Sequence, residues 1–433
     1  MKQLYTLYLF LLAATNLQAQ PLYFPPTIGS TWDTLSPSSL HYCSDRIDSL
    51  YEYLDQTETK AFILLKDGKI VLERYFDNFT QDSVWYWASA GKSLTACLVG
   101  IAQQEGFLSI EDTTSQYLGA GWTSANTAQE QAITIQNQLS MTTGLDDNGD
   151  CTLDTCLQYL TAAGSRWAYH NAPYTLLDQV IQQATGRTIN TYLFQKIKQI
   201  TGMTGLYLPL GDNNIYWSNA RSMARFGLLA LNEGNWDGMP ILTDSNYFRA
   251  MTTPSQSLNA AYGYLWWLNG QSSYQLPSIP LTFNGPLSPN APSDLIMALG
   301  KNGQSVNIVP SQNLVWIRMG NTPGTSNILH LYNDSIWIKI NALDCSMNNT
   351  VPLSTPTTVR IYPNPATTFV QVESEQAITQ WQLYNGLGQV VQANYMVGQT
   401  TVQIDLSKAP QGCYYLEVNK ENGQRSIHAV LRR

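Results

Sequence analysis

Ser89 and Lys92 stand three residues apart at the head of an unusually apolar stretch running from Trp85 to Ile101. On a helix, positions i and i+3 share a face about one turn apart, so the lysine amine would lie against the serine hydroxyl. A helix that is apolar all round is a buried one, and burial disfavours the charged form of a lysine and lowers its pKa. A neutral amine at hydrogen-bonding distance can take the serine proton and leave a nucleophile. Alone, the pair also describes a helix-capping serine and a surface lysine. Yet Ser-x-x-Lys occurs once in the 433 residues, and its neighbours are not those of a surface helix.

Two further elements follow in order. Tyr169-His170-Asn171 precedes Ala172-Pro173 and a run of Leu176, Leu177, Val180 and Ile181 at helical spacing, stopping at Gly186. Pro173 suits a first helical position. Tyr169 and Asn171 would then sit in extended chain, where i and i+2 point the same way, so a phenol and an amide could face one cleft. Read alone, the segment is a polar turn with Asn171 capping the helix. Lys301-Asn302-Gly303-Gln304 opens the run from Ser305 to Pro310, and Leu314 to Met319 follows a short turn, the pattern of paired strands. A cation at the start of a strand, with a glycine that lets a substrate approach the backbone, suits the grip of an acyl group. In isolation it is an ordinary hairpin turn.

Together the three resemble the active site of the penicillin-recognising serine hydrolases: class C β-lactamases, D-alanyl-D-alanine peptidases and family VIII-type esterases. That family carries Ser-x-x-Lys, Tyr-x-Asn and Lys/His-x-Gly in this order. Glu105 to Asp112 looks like its Gly-x-Leu-x-Leu-Asp-Asp turn, Ile133 to Leu145 like its Ile-Thr-Ile-x-x-Leu-Leu-x-His-Thr-Ser-Gly segment, and Tyr262 to Trp267 like its Tyr-Gly-Tyr-Gly-Trp-Trp strand. Met141 replaces the usual histidine, and Lys301 stands where many esterase members carry histidine or tryptophan.

The resemblance implies that Ser89 attacks an ester or amide carbonyl and becomes acylated. Lys92 would accept its proton, with Tyr169 assisting and later activating the deacylating water. Asn171 would position Lys92 and the substrate amide. The backbone N–H groups of Ser89 and Gln304 would form an oxyanion hole, with Gly303 leaving room for the substrate and Lys301 attracting an anionic group. No cofactor or metal is implied. The substrate would be a small ester, a D-amino-acid peptide or a β-lactam, with Lys301 favouring one that bears a carboxylate. A non-catalytic binding or sensor protein that keeps the fold is the rival reading.

Other chemistries fit worse. The four histidines are His41, His170, His330 and His428, and no Gly-x-Ser-x-Gly elbow is present. His170 would point away from Tyr169 and Asn171 and reads as structural. There is no His-Glu-x-x-His and no paired Cys-x-x-Cys. Asp146-Asp147-Asn148-Gly149-Asp150 has the alternating oxygens of a calcium loop but lacks its glycine at position 6 and glutamate at position 12. It reads as a solvated turn.

The elements that must position these residues are implied by the same likeness: an α/β fold of the β-lactamase/transpeptidase type, an antiparallel sheet flanked by helices, with a mostly helical subdomain carrying Ser89 and Tyr169. Around it the chain divides into residues 1–19, 20–345, 346–358 and 359–433. Met1-Lys2-Gln3, an apolar run from Leu4 to Thr15 and Ala19 form a secretory signal, too short to span a bilayer. Export permits disulfides. Cys151 with Cys156 is a plausible local clip, Cys43 with Cys345 would join the ends of the hydrolase region, and Cys97 reads as an inert core thiol; spacing alone does not fix connectivity.

Residues 346–358 are a Pro/Ser/Thr/Asn linker. Beyond it, short alternating strands between Gly and Asn turns suggest a small β-sandwich. Ile361-Tyr362-Pro363-Asn364-Pro365-Ala366, Leu383 to Val391, Ile404-Asp405-Leu406, Gln411 to Tyr415 and Arg432-Arg433 resemble the C-terminal sorting domain of the type IX secretion system of Bacteroidota. The resemblance implies delivery to the cell surface or beyond, with that secretion machinery as partner. A carbohydrate-binding sandwich, with Trp381 and Tyr384 stacking on sugars, is the alternative. The net charge of −8 argues against nucleic acid or anionic membrane as partners.

Overall fold

Thr59–Lys66 (β1) is buried at every position except Lys60 and Lys66, which marks a strand covered on both faces. In the computed structural model, which describes residues 22–322, 329–346, 359–385, 389–421 and 425–433, β1 lies inside a six-stranded antiparallel sheet. The others are Lys69–Tyr75 (β2), Trp267–Leu268 (β3), Ile296–Gly300 (β4), Gln304–Val309 (β5) and Leu314–Gly320 (β6), in the order β2-β1-β6-β5-β4-β3. Residues 1–21, which contain the expected export signal, and 347–358 of the linker lie outside the described residues.

Helices cover both faces: Ser44–Gln56 (α1) and Leu329–Asn341 (α5) on one, Ala220–Leu231 (α4) on the other. Adjacent residues of a strand point to opposite faces. Trp316 therefore meets Trp337 of α5 at 5.9 Å between rings, while Val315 faces Gly227 of α4, where an added Cβ would lie 2.5 Å from its side chain. Two more helices, Lys92–Gln104 (α2) and Leu177–Thr185 (α3), form the helical part beside the sheet. From Lys92 to Ala102, α2 is buried on every side.

β4, whose run Ile296 to Gly300 is apolar throughout, lies outside the expected strands, whereas a strand is expected at Tyr262 to Trp267. Only Trp267 begins a strand there. Leu265 adopts φ 59°, a left-handed conformation that turns the chain. Its carbonyl is held by Ser93 Oγ at 2.7 Å.

Cys43 is bonded to Cys345, and Cys151 to Cys156. The first joins the start of α1 to the segment after α5, where Cys43 N donates to Leu343 O and Cys345 N to His41 O, each at 3.1 Å. Cys97 is buried and free, and burial pushes its thiol up to about 12. The two bridges close loops of very different length, with sequence separations of 302 and 5. Loop-closure entropy then gives about 6 kcal/mol for the long bridge against about 2 kcal/mol for the short one. Urea denaturation of Cys43→Ser/Cys345→Ser and of Cys151→Ser/Cys156→Ser is expected to show that ordering.

The C-terminal region is a five-stranded antiparallel sheet: Val359–Tyr362 (β7), Phe369–Tyr384 (β8), Val390–Asp405 (β9), Gly412–Lys420 (β10) and Arg425–Arg432 (β11). Two of its strands are longer than the sequence pattern suggested. Ser374-Glu375-Gln376 interrupts the apolar alternation, yet the backbone continues through a register break between Glu373 and Ile378. Before the break β8 pairs with β7, after it with β10, so the sheet curls over Val370, Val372, Leu383, Leu416 and Val418. Trp381 is 6 % exposed within that core, which removes it as a sugar-stacking surface. Tyr415 of β10 rests against Phe283 of the preceding region, rings 5.1 Å apart. Among the described residues no helix is long and apolar enough to cross a membrane.

Candidate active site

The site is built on a strained turn. Trp87 is wholly buried; its indole N–H donates to Ser218 Oγ at 2.8 Å and its backbone N–H to Tyr216 O at 2.8 Å. Ala88 then takes φ 48°, a conformation unusual for a residue with a Cβ and of the kind found where backbone strain serves function. A 3₁₀ turn covers Ala88–Gly91, and α2 starts only at Lys92. The expectation of a continuous helix through Ser89 is thus corrected. The pairing survives because a 3₁₀ turn nearly eclipses positions i and i+3. Lys92 Nζ lies 3.2 Å from Ser89 Oγ.

Lys92 is 2 % exposed. Its Nζ sits over the ring of Tyr174 at 4.2 Å and over that of Tyr169 at 5.3 Å from the centroids. Burial brings its pKa down to about 7, against the opposing pull of the Asp150 carboxylate. Near neutral pH a large fraction of the amine is free to accept a proton. Tyr169 moves the other way: burial holds its phenol well above the ordinary value, a hydrogen bond with Ser89 works against that, and Asp150 reinforces it. Its phenol stays protonated at neutral pH. The ring stacks on Trp267 (6.0 Å, 15°) and meets the edge of Tyr262 (6.1 Å), and Trp167 closes the cluster against both.

Asn171 does not stand in extended chain. It opens the short helix Asn171–Thr175, and its Nδ2 donates to Asp150 Oδ1 at 2.9 Å. Among the described residues it makes no hydrogen bond to Lys92, and its buried Oδ1 has no partner. His170 is 4 % exposed, and burial lowers its pKa. Residues 148–150 are exposed, as expected of a solvated turn, but the turn is tied to the site through Asp150. It is held by Asn171, and by Asn213 at 3.4 Å, beside the Cys151–Cys156 bridge, while Asp147 pairs with Arg166 at 2.6 Å. The partners of these carboxylates are distant in sequence, so no local pattern announced them.

In the third motif Lys301–Gly303 is the turn joining β4 to β5, the hairpin that the segment describes when read alone. Gly303 takes φ 71°, and a Cβ there would meet Arg318 Nη1 at 2.8 Å and Tyr332 at 2.9 Å. It faces packed interior and leaves no room for a substrate. Gln304 is fully buried, its amide bonded to both backbone groups of Gly320 (2.6 and 3.0 Å). Arg318, buried in β6, donates to Asn302 O at 2.6 Å and to Thr57 O at 2.7 Å, fixing the turn; Lys301 itself is exposed.

The glycine that approaches the nucleophile is Gly300. A Cβ there would lie 2.5 Å from Trp87 O, 2.9 Å from Ala90 N and 3.0 Å from Ser89 N. Its signal in the sequence was a glycine ending an apolar run one residue before Lys301. The site therefore gathers Ser89, Lys92 and Tyr169, brings β4 against the Ser89 amide, and adds Asp150 and Tyr174, which lie outside the three motifs.

Residues 47–334 match the Beta-lactamase family, and residues 360–431 match the Secretion system C-terminal sorting domain. An uncharacterized protein of Alkalihalophilus pseudofirmus is 27 % identical over 312 residues, 63 % of this chain and 87 % of its own. Among solved structures, a penicillin-binding protein homolog from Caulobacter crescentus superposes with a TM-score of 0.54 at 15 % identity, covering 70 % of this chain and 98 % of its own. EstCE1, a hydrolase with promiscuous acyltransferase activity, gives 0.53 at 14 %, covering 70 % and 99 %. Both share the fold.

Proposed function

Because the chain belongs to the Beta-lactamase family over residues 47–334, we propose that it is an exported serine hydrolase that cleaves an ester or amide through an acyl-enzyme on Ser89. The observation that carries this reading is the buried Lys92 amine 3.2 Å from Ser89 Oγ, its pKa near 7. In the first step the Ser89 O–H bond breaks, its proton moves to Lys92 Nζ, and the oxygen lone pair attacks the carbonyl carbon. As the bond from that carbon to the leaving group breaks, the phenol of Tyr169, protonated and hydrogen-bonded to Ser89, gives its proton to the leaving group and recovers one from the Lys92 ammonium. In deacylation water attacks the acyl carbon, and its proton returns by the same path to Ser89 Oγ. The Ser89 N–H and the backbone at the end of β4 face the developing oxyanion, and Gly300 keeps that space clear. This replaces Gln304 as the expected second contributor.

The substrate reading is a small ester, D-amino-acid peptide or β-lactam, with Lys301 and Asp150 offering opposite charges at the rim. Parallel assays on short-chain p-nitrophenyl esters, nitrocefin and D-Ala-D-Ala peptides test it. Covalent labelling by a fluorophosphonate, lost in Ser89→Ala, tests the mechanism; a folded protein that takes no label would be the non-catalytic binding protein instead.

The sorting-domain match supports delivery by the type IX secretion machinery to the cell surface or outside. Deleting residues 356–433 is expected to leave ester hydrolysis within about two-fold, because no residue of the tail belongs to the gathered site, and to abolish appearance outside the cell. Retained delivery, measured by fractionation, would overturn the sorting role.

A further inference from the structure

One buried group beside the reacting pair is unused by this mechanism. Tyr174 is 3 % exposed, one turn along the short helix from Asn171, and its ring face lies under Lys92 Nζ at 4.2 Å, closer than the Tyr169 ring at 5.3 Å. Its ring is locked from behind. The Tyr174 hydroxyl is 3.3 Å from Thr95 Oγ1, Thr95 Oγ1 is 3.0 Å from the Tyr207 hydroxyl, and that hydroxyl donates to Gly91 O at 3.2 Å. The chain of bonds thus closes on the turn that carries Ser89.

An aromatic face attracts a cation within about 6 Å of its centroid and is indifferent to a neutral amine. The lysine changes between those states during the proposed reaction, so the ring acts differentially, and only differential interactions accelerate a step. We propose that Tyr174 is a positioning residue whose ring face aims the Lys92 amine at Ser89 and stabilises the ammonium formed when Lys92 takes the Ser89 proton. This rests on the hydrolase reading above.

The groups that face Lys92 are Ser89 and the rings of Tyr169 and Tyr174, with the Asp150 carboxylate acting on it through space. Behind Tyr174, Asp178 of α3 is bonded by Asn214, and burial raises its carboxyl to about 7, so a pH profile must separate the two. Tyr174→Phe keeps the ring and removes the hydroxyl. Phenylalanine fluorinated at the same position keeps the shape and drains the π face. Asp178→Asn removes the second titrating group.

The measurement is the rate of Ser89 acylation by a fluorophosphonate from pH 5 to 9, in the full chain. Tyr174→Phe keeps the ring face but loses the bond to Thr95 that holds it, so it is expected to leave the acid limb in place and slow acylation by about five-fold, the loss of one neutral hydrogen bond. The fluorinated rings are expected to move the acid limb to lower pH and reduce the plateau rate by roughly 3- to 30-fold, in order of fluorine count, the range of a desolvated cation–π contact. Asp178→Asn is expected to leave the limb in place. An unchanged limb and rate in the fluorinated series, or a limb that moves with Asp178→Asn instead, would overturn the proposal. Absence of label in the parent protein would sink the hydrolase reading itself, a separate outcome.

Discussion

Ser89→Ala and Lys92→Met are each expected to lower turnover by on the order of 10⁴–10⁶, and the double variant to be no worse than either alone. The reason is that nucleophile and base act as a unit: without the amine, Ser89 remains a neutral alcohol, and without the hydroxyl, the amine has no proton to take. The two variants part in stability. Lys92→Met replaces a buried amine by an apolar chain of similar length and should be as stable as the parent or more so. The pH dependence carries the sign. In the unfolded chain Lys92 stays protonated up to its ordinary value of 10.5, but in the fold only up to about 7. Between those values the unfolded state binds more protons, so parent stability rises with pH. The stability advantage of Lys92→Met is therefore fully present below about pH 7 and shrinks from there toward pH 10, which denaturant titration at several pH values would read.

Gly300→Ala is expected to reduce turnover by on the order of 10²–10³, the loss typical of one disturbed oxyanion donor. The added methyl would press on Trp87 O, Ala90 N and Ser89 N at 2.5–3.0 Å, all backbone atoms that cannot swing aside. Either β4 retreats or the Ser89 amide turns. Gly303→Ala is the control. Its left-handed φ of 71° and its contact with Arg318 and Tyr332 tie it to packing, so it should lower the melting temperature more than it lowers the acylation rate of the protein that remains folded. Equal catalytic losses in the two variants would contradict the placement of β4 against the nucleophile.

The contrast between these glycines shows how far the sequence could be read. The pairing of Ser89 with Lys92 was legible because it depends on a spacing of three that survives when a helix becomes a 3₁₀ turn, whereas Tyr169 was reached only through the family resemblance. β5 and β6 were legible because Val306, Ile308 and Val309, and then Leu314 to Ile317, are strand-forming residues on either side of a short turn. Gly300 was not, since an approach between β4 and the Ser89 turn is a long-range fact with no local pattern. The turn at Asp150 was legible as exposed, but its link to the site was not, because its partners Asn171 and Asn213 lie 21 and 63 residues away. The φ of 48° at Ala88 had no sequence signal, because alanine does not ordinarily advertise a left-handed turn.

The central claim is that a buried, largely neutral amine deprotonates Ser89. The most direct test is intact-protein and peptide mass spectrometry of the fluorophosphonate adduct, timed at a series of pH values. The account predicts one adduct per chain, on Ser89, forming at a rate that rises through a midpoint near pH 7 and absent in Lys92→Met over the same period. Label on another residue, or a Ser89 rate indifferent to pH between 5 and 9 and to the loss of Lys92, would contradict it.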